Sequence, residues 1–146
     1  MDSESKFVKI VVDIPDGDLG VFGEGLWAKP LGSDLYEVQN SPWHSREINY
    51  ADIVKAIAPS EDKNPVFVSI ERRSGHKTIQ IILLEEGQVH KDEILKELAA
   101  RGASYENANG KLFALDFSPG VDWALSRAYL DDLFEKDWAE YRWSAY

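Results

Sequence analysis

Cysteine is absent from the 146 residues. Disulfides, thiolate nucleophiles and cysteine-ligated zinc are therefore excluded. Long apolar runs are missing too: no segment approaches the roughly 18–20 apolar residues that cross a bilayer as a helix. The opening Met1-Asp2-Ser3-Glu4-Ser5 is polar and acidic, without a basic stretch leading into an apolar one, so no secretory signal is expected. Bases are scarce, with 16 Lys and Arg against 26 Asp and Glu and a net charge of −10. Such a chain is poorly suited to nucleic acid, which is bound by Lys and Arg displacing phosphate counterions. The expectation is a cytoplasmic protein that engages neither membrane nor nucleic acid.

Catalytic and nucleotide-binding motifs are also lacking. There is no phosphate-cradling loop ending in Gly-Lys-Ser or Gly-Lys-Thr, no complete Gly-x-Gly-x-x-Gly and no Gly-x-Ser-x-Gly elbow. Gly23-Glu24-Gly25 is a fragment whose acid would repel a phosphate. His44, His76 and His90 are far apart, and no pair has the spacing of a helical zinc site. No cofactor, no metal and no catalytic residue are expected.

What is present suffices for a core. Hydrophobic residues make up 44%, including five Trp, six Tyr and six Phe. The length suits one ordinary domain, or two very small ones sharing a core. Residues 7–14 are rich in β-branched side chains and predict a strand ending at the turn Pro15-Asp16-Gly17. Leu26–Lys29 and Leu35–Val38 predict a hairpin around residues 31–34. Residues 52–58 and 66–72 read as further strands. Residues 77–84 end in four consecutive apolar residues, as a central strand does. Ile94 with Leu98 and Leu95 with Ala99 mark a helix over 91–101, with Val89 as a staple onto Ile94 and Gly102 as the stop. Residues 103–106 and 111–117 flank Asn109-Gly110, a strong hairpin signal. Ser118-Pro119 predicts a capped helix to about Phe134 with Val121, Leu125 and Ala128 on one face. Ala139–Trp143 alternates as a final strand, Tyr141 and Trp143 sharing a face.

The expected class is α+β. Residues 1–73 form a small β-rich sheet or barrel, and residues 74–146 a ferredoxin-like βαββαβ half. No Gly/Ser/Pro-rich linker separates them, so the two should pack as one compact unit.

Three clusters are candidate sites. Arg72, Arg73, His76 and Lys77 crowd around the Ser74-Gly75 turn in an otherwise acidic chain. Arg72, Arg73, Ser74 and His76 could clamp a carboxylate or phosphate; the competing reading is a turn whose arginines pair with local acids. Trp43 and His44 lie in a polar loop beside Arg46, a composition suited to recognition. Otherwise Trp43 plugs the barrel end and His44 is solvated. Residues 131–140 hold five acids and one base, with Phe134 and Trp138 among them. Asp131, Asp132, Glu135, Asp137 and Trp138 could dock a basic protein, or be a solvated helix end.

Gly25-Leu26-Trp27-Ala28-Lys29, then Leu35 through Trp43, Tyr50-Ala51-Asp52-Ile53-Val54 and Arg73-Ser74-Gly75-His76 resemble, in this order and spacing, a bacterial family catalogued as domain of unknown function 4265. The resemblance covers nearly the whole chain. It implies a compact bacterial cytoplasmic protein and no established activity. Ala51 stands where a glycine is usual, which implies a backbone there without positive φ.

The function expected first is a non-enzymatic protein-binding domain. It would be an immunity-type or antitoxin-like inhibitor whose acidic surface covers a basic protein, such as a cognate toxin. The alternative is a small anionic-ligand sensor or enzyme built on the Arg-Ser-Gly-His turn.

Overall fold

The computed structural model describes residues 6–144; the acidic stretch Met1–Ser5 lies outside them. The fold is α+β and consists mostly of strands. Five strands close a barrel: β1 (Val8–Asp18), β2 (Val21–Gly32), β3 (Leu35–Val38), β4 (Ile53–Ile57) and β5 (Val66–Arg72). Alternate residues Ile10 and Val12, Leu26 and Ala28, and Val54 and Ala56 point inward and are buried, joined by Val38 and by Ile48 from the loop after β3. Neighbours pair antiparallel, but β1 and β5 meet in parallel at the single pair Val11–Val66.

The rest of the chain runs β6 (Lys77–Leu83), α1 (Glu85–Val89), α2 (Lys91–Ala100), β7 (Ala103–Asn107), β8 (Leu112–Phe117), α3 (Ala124–Glu135) and β9 (Ala139–Trp143). Its four strands form an antiparallel sheet in the order β7-β8-β6-β9, so β6 is central, as its apolar run predicts. One face carries Ile79, Ile81, Leu83, Phe113, Leu115 and Phe117, and packs against Ile94 and Leu98 of α2 and Leu130 and Leu133 of α3. Period-2 alternation sends Thr78, Gln80, Glu106, Asp116 and Arg142 to the opposite, helix-free face. That face meets the barrel's loop 39–52.

Four local expectations need correction. The first turn is not at Pro15–Gly17: β1 continues to Asp18 through a register shift, and the chain turns at Leu19 and Gly20. Val89 does not staple α2, because it belongs to the extra helix α1 and is 72% exposed. Ser118-Pro119 does not cap α3: Val121 N–H bonds Ser118 O in a separate turn, and Asp122 Oδ1 accepts from Ala124 N–H at the actual start. The later start changes the inward face to Ser126, Leu130 and Leu133, and leaves Leu125 exposed. Ala51 has φ 67°, against the expectation of negative φ there. Its N–H and the Asp52 carbonyl extend the β3 ladder by bonding Val38, while Asp52 Oδ2 takes Asn49 N–H, so the 49–52 turn is clamped from both sides.

Candidate functional site

The polar chemistry concentrates where loop 39–52 lies between the barrel and the helix-free sheet face. A chain without regular structure has amide groups to satisfy, and buried ones must be paired. Three carboxylates do much of this. Glu24, set between two glycines of β2 and 8% exposed, accepts N–H bonds from Trp43 (2.6 Å), Ser45 (2.9 Å) and His44 (3.2 Å). Asp52, fully buried, accepts from Ser74 N–H (2.8 Å), Asn49 N–H (2.9 Å) and Arg73 Nη1 (3.1 Å). Glu106 of β7 accepts from Ser41 N–H (2.9 Å) and Asn40 Nδ2 (3.2 Å), while its backbone carbonyl takes the Trp43 indole N–H. Gln80 of β6 donates to the carbonyls of Pro42 and Ser45. Sequence reasoning misses Glu24 and Asp52 as partners of this loop. The flanking glycines of Glu24 are the visible signal, and they read as a broken phosphate motif.

Each seam histidine is tied to a carboxylate. His44 Nδ1 lies 2.7 Å from Asp18 Oδ2, and the Arg142 guanidinium grips both oxygens of Asp18 at 2.8 and 2.7 Å. Arg142 also donates to Gln80 Oε1 and to the His44 carbonyl. Burial alone would raise the Asp18 carboxyl, but Arg142 and His44 outweigh it and hold it below its ordinary value. His44 is thus not solvated; its side chain is 13% exposed. Nearer the turn between β5 and β6, His76 Nδ1 lies 2.9 and 3.1 Å from the two oxygens of Asp116. Burial pushes the Asp116 carboxyl up, and His76 offsets only part of that. Ser74 Oγ donates to Tyr50 O at 2.6 Å and accepts from His76 N–H, so it is held as a turn brace.

The sequence-predicted residues fall into separate places. Arg72, Arg73, Ser74 and His76 do line one cleft of about 330 Å³, together with Glu37. Trp43 and His44 lie in the seam on the helix-free face. Asp131, Asp132 and Glu135 are exposed on α3, beyond the other face of the sheet, with Asp137 exposed just past its end. Asp131 accepts a hydrogen bond from Tyr141, and Asp132 pairs with Lys136 at 3.0 Å. The Tyr141 hydroxyl is pushed up to about 12 by burial and by that carboxylate. Trp138 is half-buried, its ring stacked on His90 at 4.2 Å with 3° between planes. Among the described residues no helix is long and apolar enough to cross a membrane, and no three His, Asp or Glu side chains gather to hold a metal.

A hypothetical protein of Neisseria gonorrhoeae has a similar crystal structure, with a TM-score of 0.76 at 20% identity over 94% of this chain and 93% of that one. At that identity the likeness shows the fold alone. No curated protein sequence matches the chain significantly. The family model for the domain of unknown function DUF4265 matches residues 24–141, a span from the Glu24 carboxylate to β9, and the chain belongs to that family.

Proposed function

We propose that the protein is a non-enzymatic protein-binding domain, an immunity-type or antitoxin-like inhibitor that docks a basic toxin through the outer face of α3. The observation that carries this reading is Phe134, 55% exposed amid the carboxylates of Asp131, Asp132, Glu135 and Asp137. An exposed aromatic ring on an acid-rich helix end supplies an apolar anchor and a net negative field that steers a basic partner. We read the second half as ferredoxin-like, on the support of its β7-β8-β6-β9 order with α2 and α3 on one face. We also read residues 1–73 and 74–146 as one compact cytoplasmic unit, supported by the hydrogen bonds that cross the seam. Trp43 and His44 leave the docking surface in this reading, because they lie beyond the other face of the sheet.

The alternative, a small-anion sensor or enzyme at the Arg-Ser-Gly-His turn, has weaker support. Asp52 already pairs with Arg73, Asp116 occupies Nδ1 of His76, and Glu37 adds a further negative charge to the cleft.

The test is pull-down of small basic proteins from the native cell, followed by affinity measurement across salt. Affinity should fall as salt rises. The quadruple variant D131N/D132N/E135Q/D137N should bind about a hundredfold more weakly. A quadruple variant that binds or protects cells as well as the parent would overturn the docking face.

A further inference from the structure

A second cleft, of about 300 Å³, lies at the seam and is independent of the α3 face. Its walls come from both parts of the fold: Tyr50 from the barrel loop, His76 from the joining turn, and Tyr105, Glu106 and Asp116 from the sheet. The remaining lining side chains are serines. No Lys or Arg lines it. Two carboxylates therefore face one imidazole, and Glu106 makes no ion pair among the described residues.

Free acceptors stand beside hydroxyls that can donate or accept. Asp116 at Nδ1 selects the tautomer in which neutral His76 keeps its proton there and Nε2 carries a lone pair. No described residue hydrogen-bonds that Nε2. Glu106 has spent one lone pair on each oxygen and keeps others. The Tyr50 ring packs beside the His76 imidazole at 5.2 Å, so one aromatic surface is on offer to a ligand. Acceptors, negative charge and an aromatic face together suit a cation carrying several donors.

We infer that this cleft binds a small organic ammonium bearing hydroxyl groups, of the amino-sugar type. The ammonium sits against Glu106 and Asp116, and a hydroxyl donates to His76 Nε2. Tyr50 covers the apolar side of the ligand.

The full chain, labelled on its histidine rings, is titrated with glucosamine and followed by NMR. Parallel titrations use N-acetylglucosamine, which has the hydroxyls without the charge, and glucose 6-phosphate, which reverses the charge. Glucosamine should shift the His76 ring signals and leave those of His90 in place. N-acetylglucosamine should bind at least about tenfold more weakly, and so should glucosamine to Glu106→Gln. The glutamine amide in that variant retains one oxygen, which keeps the Ser41 bond, and gives up the Asn40 bond on the other. Tyr50→Ala, which keeps the backbone carbonyl that accepts from Ser74, gives a second variant that should also weaken binding. No saturable shift of His76, equal shifts from all three sugars, or preference for the phosphate would each overturn the inference.

Discussion

Ala51 holds a left-handed backbone that costs a non-glycine residue about 1–2 kcal/mol. The clamp on its turn is strong enough to impose it, with Val38 on one side and the Asn49–Asp52 bond on the other. Ala51→Gly should therefore stabilise the fold by about 0.5–1 kcal/mol, the relief exceeding the extra unfolded-chain entropy of glycine. Urea denaturation of the two proteins measures it, and a less stable glycine variant would show that the turn is not strained. The sequence points the wrong way here because alanine is a poor advertisement of positive φ. The same blindness applies to Glu24. Its partners are backbone amides 19 to 21 residues away, and amides carry no residue-specific mark. By contrast, Gly110 with φ 86° is legible, since Asn-Gly states its own turn requirement.

At the scale of elements, most strands are readable because burial on one face enforces period-2 alternation. β6 declares its central place by its apolar run, and β9 by its alternation. The helices are harder. The capping signal at Ser118-Pro119 is a real local turn, but helix formation needs a face against the sheet, and that face begins near Ser126. Helix α1 is invisible in the sequence because it depends on one contact. A Cβ on Gly87 would stand 2.0 Å from the Trp138 carbonyl oxygen, the atom that also accepts Leu84 N–H at 2.8 Å. Gly87→Ala should thus cost at least about 2 kcal/mol, since neither α1 nor the start of β9 can retreat without losing that bond. Thermal unfolding gives the magnitude; a stability equal to the parent would mean that α1 is free to shift away from Trp138.

Across the whole molecule, two apolar cores are joined by a polar seam. The α+β class and the division into a β-rich part and a helix-bearing part are legible in the order of elements. The seam is not, because it is assembled from carboxylates and a guanidinium on distant strands. Its pH behaviour follows from Asp18. A carboxyl held below its ordinary value contributes stability above about pH 4, and that contribution is lost as pH falls through the folded value. Asp18→Asn should cost about 2 kcal/mol near neutrality, and the difference from the parent should shrink to nothing as acid protonates Asp18. Denaturation at a series of pH values checks the sign; a constant difference would sink the assignment. Asp116 acts in the opposite sense, its burial cost disappearing on acidification. The grip of Arg142 on Asp18 joins residues 124 positions apart. A ribosome adds about 5–20 residues per second, so Asp18 waits roughly 6–25 s for its arginine to be made. During that interval the barrel can close around its own core while the underside of loop 39–52 has no sheet to lie on. The last of the described strands to be made, β9, carries the arginine that completes the seam.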